Sequence, residues 1–244
     1  AGFDAVCPHC LKDSLHIRLG WDHAYMVACP THKTLLVDKC GDCGQRLSDQ
    51  RELIDTCACG NNLMASETKP ATEAQLWVAS VIASRGAHSG QWLPALEDFH
   101  LDLFSLLVRN LCQYFDPALT VTRQNSAAPK TVLESVEFLR PLETLLHDWP
   151  RGFEAHIRER IAFGPPNSRT LNTKLGKWYL RVREVAMESE SNPFLHAIHQ
   201  VAANEYTAVL ALDHVAGYEG RTASHYMLPE AAAHIGVHRA TLLK

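Results

Sequence analysis

Cysteine nearly vanishes from this chain after residue 59: seven of the eight lie between Cys7 and Cys59, and Cys112 stands alone. Long apolar runs are missing as well. None approaches the ~20 residues of a membrane span, so no membrane segment is expected, and no signal segment is recognisable. The chain has no HExxH, no phosphate-cradling glycine-rich loop and no nucleophile elbow, which argues against an enzyme. Net charge is only −4, so global charge gives no hint of nucleic-acid binding. Lysine and arginine are absent from residues 184–219. Alternating strand patterns are scarce throughout.

The cysteines that are present come in pairs: Cys7-x-x-Cys10, Cys29-x-x-His32, Cys40-x-x-Cys43 and Cys57-x-Cys59. Eight donors make two sets of four, as two tetrahedral zinc ions require. A short spacer lets one tight turn aim two side chains at one ion. Gly44 and Gly60 follow Cys43 and Cys59, and glycine accepts the left-handed backbone that such turns need. Four protein donors leave no position for water or substrate, so the metal reads as a scaffold. Sequential grouping and an interleaved cross-brace use the same eight ligands, and spacing leaves both open. The competing reading is a disulfide framework. It belongs to small secreted domains, whereas this chain has 244 residues and a Cys-x-x-His pair between its Cys-x-x-Cys pairs, which is metal spacing. Free thiols point to a reducing cytoplasm. His9, His16 and His23 are read as surface or packing residues rather than ligands. Cys112, in the apolar stretch 104–112, is read as a buried small hydrophobe.

The expected fold is mainly α: an N-terminal double zinc-finger module with zinc-ribbon-like hairpins (1–64), a helical domain (71–219) and the start of a C-terminal helix-turn-helix (226–244). Helices are expected from Thr72 to about Arg85, over 96–115, 131–147, 151–162, 170–188 and 193–212, from apolar spacing and from breaks such as Asp116-Pro117, Trp149-Pro150 and Gly164-Pro165-Pro166. Pro229 and Glu230 suit a first turn, Gly236 a turn between helices, and Arg239 the start of a recognition helix. An alanine-rich helix hairpin packed in a core would read the same way. With Lys244 last, the second helix is short, and a truncated chain is expected.

Charge is unevenly distributed. Residues 1–63 hold six Lys/Arg against eight Asp/Glu. With two zinc ions and seven thiolates the module would carry about −5, a surface suited to docking protein rather than gripping DNA. Residues 151–183 carry a net +6. Lys174, Lys177 and Arg181 fall on one face of a regular helix, with Trp178 and Tyr179 among them, and Arg158 and Arg160 precede them. These five and Arg239 are the candidate nucleic-acid contacts. A solvated amphipathic helix is the plainer alternative. Within the module, Arg18 and Tyr25 are expected to be exposed and to bind a protein partner, while Trp21 suits a core plug beneath the first zinc.

The order Cys7-Pro-His-Cys-Leu11, Arg18, Trp21, Cys29-Pro-Thr-His32, Leu35-Leu36, Cys40-Gly-Asp-Cys-Gly44 and Cys57-Ala-Cys-Gly60 resembles the TniQ/TnsD family of transposition proteins, over roughly residues 5–63. Six residues precede Cys7, fewer than is usual in that family, and the last pair is one residue tighter than the others. The resemblance implies a non-enzymatic target-site selector of a cut-and-paste transposon. It would bind DNA, or an RNA-guided Cas complex, and recruit an AAA+ ATPase of the TnsC/TniB kind; a homodimer is a further expected arrangement. The alternative is a zinc-ribbon and helix-turn-helix transcription regulator.

Overall fold

Pro8 opens the first helix, α1 (Pro8–Asp13), where its ring fits and no backbone donor is lost. The computed structural model describes residues 4–48, 51–85, 93–96, 100–117, 128–166, 168, 171–186 and 192–205. After α1 a 3₁₀ turn (Leu19–Asp22) buries Trp21 completely, as a core plug should be. Strands β1 (Ala28–Cys29) and β2 (Thr34–Leu35) pair antiparallel, Ala28 opposite Leu35 and Cys29 opposite Thr34. A second 3₁₀ turn (Leu63–Ala65) closes the module.

Six helices follow among the described residues: α2 (Glu73–Ala83), α3 (Leu101–Gln113), α4 (Val132–Leu146), α5 (Arg151–Phe163), α6 (Leu171–Ala186) and α7 (Pro193–Glu205). The chain is therefore mainly α, with a small N-terminal double-cluster module. Local chemistry accounts for most starts. Thr72 and Gln75 form a reciprocal capping box, so α2 begins as its sequence suggests. Thr131 accepts the Glu134 N–H at the start of α4. α3 begins later than its apolar pattern, at Leu101, because His100 accepts the Asp102 N–H and caps it there. α6 is not one regular helix: Gly176 has φ 70° and ψ −159°, a conformation reserved for glycine. The segment 226–244, with Arg239, lies outside the described residues.

The core is a ring cluster. Phe194 sits 5.1 Å from Phe153, 5.0 Å from Trp149 and 6.1 Å from Trp77, tying α7 to α5 and α2. Cys112 is buried. The module is not set apart from this body. Tyr25 stacks on Phe138 of α4 at 5.4 Å, Ser135 donates to the Ala24 carbonyl at 2.7 Å, and the Asp38 carboxylate accepts the Val132 N–H at 2.9 Å. Both regions contribute to one hydrophobic cluster. Among the described residues no helix is long and apolar enough to cross a membrane.

The α4–α5 corner permits a direct test. A Cβ on Gly152 would lie 2.4 Å from the Thr144 carbonyl oxygen and 2.6 Å from that of His147, both backbone atoms that cannot swing aside. Gly152→Ala should destabilise the chain by about 1–3 kcal/mol, read as a lower denaturation midpoint at unchanged slope.

Candidate metal centres

One helix start and one knuckle turn build the first donor group. Cys7 is the N-cap of α1 and Cys10 lies in its first turn, so both sulfurs leave the same side. The β1–β2 turn supplies the rest: Lys33 takes a positive φ of 56°, its N–H bonds back to the Cys29 carbonyl at 2.8 Å, and the His32 N–H points at the Cys29 sulfur, 3.4 Å away. His32 Nδ1 then lies 3.6, 3.4 and 3.5 Å from the sulfurs of Cys7, Cys10 and Cys29.

The second group has the same logic. Gly44 (φ 71°) and Gly60 (φ 88°) close the turns after Cys43 and Cys59 in the left-handed region anticipated for them. Cys40 Sγ lies 3.7 Å from Cys59 Sγ, and Cys43 Sγ 3.8 Å from Cys57 Sγ. Asn61 donates its side-chain N–H to the Cys40 sulfur at 3.4 Å.

These spacings decide two questions that the sequence leaves open. Grouping is sequential: Cys7, Cys10, Cys29 and His32 in one set, Cys40, Cys43, Cys57 and Cys59 in the other, with the donor atoms of each set within 4.8 Å of one another. All eight cysteines are free, so there is no disulfide framework. A tetrahedron with metal–sulfur bonds of ~2.3 Å and metal–nitrogen bonds of ~2.05 Å has S–S edges of about 3.8 Å and N–S edges of about 3.6 Å. The observed edges match. Each set can hold one metal ion.

Electrostatics favour the ligand form at one cysteine in each set. Cys29 is held down, chiefly by the hydrogen bond from the Cys7 thiol and then by the His32 N–H; the same hydrogen bond and burial push Cys7 up, and burial pushes Cys10 up. Cys40 is lowered to about 6 by the Cys43 N–H and the Asn61 amide. The centres differ in access. Cys7, Cys10 and Cys29 are buried, whereas Cys43 and Cys59 are exposed.

Among the described residues no further histidine belongs to either set. His9 packs against His32 in a tilted arrangement, centroids 5.3 Å apart, and bonds Thr68; His23 bonds Ser105 at 2.8 Å; His16 is exposed. Sequence reasoning missed Asp13, whose carboxylate lies 3.1 Å from His32 Nε2. Nothing in local spacing marked it, since Asp13 reads as an ordinary surface acid at the end of α1.

The expected partner and nucleic-acid residues divide sharply. Arg18 is exposed, but Tyr25 is 7% exposed, and its expected surface position is corrected: its ring is spent on Phe138. Exposed apolar side chains stand beside Arg18 instead, Leu15 at 61% and Leu19 at 81%. Lys177 and Arg181 face solvent, Arg181 paired with Glu184 at 2.8 Å. Arg158 is exposed and paired with Glu154 at 3.2 Å. Arg160 and Lys174 are buried and cannot belong to an exposed basic face. Arg160 donates to the carbonyls of Tyr114 and Phe115, and to His156 Nε2 at 2.8 Å, with its guanidinium 4.5 Å from the Trp178 ring centroid. Burial lowers its pKa to about 10. Lys174 donates to the Gly164 and Pro165 carbonyls, each at 3.1 Å. Both cations satisfy carbonyls at helix C-terminal ends, of α3 and α5, where orphan acceptors and the dipole favour positive charge. The single cationic face also fails geometrically, because the Gly176 kink lies between Lys174 and Lys177. Arg239 is outside the described residues.

Compared with known proteins, the chain matches no family model and no curated protein.

Two measurements check this division. A thiol-directed mercurial titrated into metal-loaded protein should react first with Cys43 and Cys59 and release the metal of the second centre before the first; release in the opposite order would contradict the difference in access. Arg160→Met should cost about 1–3 kcal/mol by stranding buried carbonyls, whereas Lys177→Gln should stay within about 0.5 kcal/mol. Denaturant unfolding of the two variants separates these outcomes.

Proposed function

We propose that this chain is a target-site selection adaptor of a cut-and-paste bacterial transposon, with two structural zinc ions, that links a DNA target or an RNA-guided Cas complex to a TnsC/TniB-like AAA+ ATPase. One observation carries the reading: the ordered CPxC, CPxH, CxxCG and CxCG pairs fold into two sequential four-donor sets on a helical body. Zinc suits the donors. Thiolate-rich tetrahedral sets of S₃N and S₄ type are its usual structural homes. Four protein donors per ion leave no position for substrate, which supports an adaptor rather than an enzyme. The cysteine chemistry suits a reducing cytoplasm.

The recruiting surface is the stretch Leu15–Leu19, beside the first centre. Its ends are anchored, by α1 on one side and by buried Trp21 on the other, so little ordering is needed on binding. Arg18 supplies a charge and Leu15 and Leu19 supply apolar area. Lys177 and Arg181 remain the exposed candidates for phosphate contact in the basic stretch.

Binding of the neighbouring ATPase to the zinc-loaded chain, with and without DNA, tests the role. A triple change of Leu15→Ser, Arg18→Ala and Leu19→Ser should weaken recruitment at least about tenfold, since hot-spot residues of this kind are worth more than 1.4 kcal/mol, while both metals stay bound. Undiminished recruitment would move the docking surface elsewhere. Specific DNA binding with no ATPase binding would favour the transcription-regulator reading. For the basic stretch, changing Lys177 and Arg181 to glutamine should reduce the log–log salt slope of duplex binding by roughly 0.9 for each phosphate that is no longer neutralised.

A further inference from the structure

The first donor group contains the one imidazole among the eight ligands, and an imidazole can bind a metal only through a nitrogen that carries no proton. His32 Nδ1 faces the three sulfurs, at 3.4 to 3.6 Å. Its other nitrogen, Nε2, meets the Asp13 carboxylate at 3.1 Å. A carboxylate accepts there, and in a neutral ring a proton placed on Nε2 leaves the Nδ1 lone pair for a metal. We propose that Asp13 is a positioning residue for the first metal centre, fixing both the tautomer and the ring orientation of His32.

Three features of the surroundings support the assignment. Asp13 is the last residue of α1, the same short helix that delivers Cys7 and Cys10, so two inner ligands and the outer carboxylate move as one unit. An acid at a helix C-terminus opposes the helix dipole, so forming α1 gives no reason for it. His9, itself tied to Thr68 at 3.2 Å, packs against the His32 ring in a tilted arrangement with centroids 5.3 Å apart, and the Asp13 carboxylate adds the directional contact at Nε2. Among the described residues, the donor set of the second centre contains no histidine. Its outer donor is the Asn61 amide on Cys40. The effect of Asp13 should therefore be confined to one of the two ions.

The inference rests on metal binding by the clusters, not on the transposition role. The test uses the full chain loaded with zinc, titrated against a chromophoric chelator, beside Asp13→Ala and Asp13→Asn. Removing an outer-shell partner of a ligating histidine weakens metal binding by about 10–100-fold. Asp13→Ala should show that loss for one ion of the two, with the other unchanged, and Asp13→Asn, which still offers a neutral acceptor, should fall between. Cadmium-113 NMR of cadmium-loaded protein identifies the affected ion, since S₃N and S₄ environments resonate apart; the S₃N signal should be the one that weakens. Nitrogen-15 NMR of the His32 ring should show the Nε2 proton protected in the parent and exchanging faster in Asp13→Ala. Equal affinities in parent and Asp13→Ala would overturn the proposal, as would equal loss at both centres. A parent chain that binds no metal would overturn the metal reading itself.

Discussion

The N-terminal module depends on the closure of its two four-donor sets. Its regular structure is slight: a six-residue helix, two strands of two residues and two 3₁₀ turns. Strands this short contribute few ladder hydrogen bonds, and a module of about sixty residues buries too little surface to be comfortably stable alone. Metal ions held by the two donor sets would supply the missing cross-links, and in small metal-bound modules binding free energy is folding free energy. The rest follows from that constraint. The knuckle turns orient backbone N–H groups onto the sulfurs, Trp21 is wholly buried, and Tyr25 and Asp38 fasten the module to α4.

That seam changes how the body should be regarded. The Asp38 carboxylate accepts the backbone N–H of Val132, satisfying an orphan donor in the first turn of α4, where negative charge is favoured. Ser135 and Phe138, on the following turns of α4, meet Ala24 and Tyr25. α4 in turn packs against α2, α3 and α5. A change in the module thus has short physical routes into the bundle, through α4 and also through α2, which packs on β1, and α3, whose Ser105 bonds His23.

The basic stretch shows how charge counting and structure part company. Its net charge suggested a continuous binding face. Two of its cations, Arg160 and Lys174, instead end helices from within the core, and Arg158 and Arg181 pair with acids on their own helices. What remains outward is a smaller set around Lys177 and Arg181. The proposed adaptor therefore leans on the metal module for its partner surface, and on the stretch between α1 and Trp21 in particular.

Much of the local chemistry was legible in the sequence. The donor pairs, the left-handed glycines Gly44 and Gly60, the start of a helix after Thr72 and the burial of Cys112 follow from short-range sterics and hydrogen bonding, which travel with the residues. Tertiary structure alone decided which four donors share a centre, since spacing is the same for a sequential and a cross-braced arrangement. It alone brought Asp13 to His32, across nineteen residues of chain. It also took Tyr25, Arg160 and Lys174 out of solvent, because their partners are rings and carbonyls outside their own elements. Helical spacing placed Lys174, Lys177 and Arg181 on one face only for an unbroken helix, and the backbone of Gly176 broke it. A side chain's type is written in the chain, but its neighbours are set by how the helices end against one another.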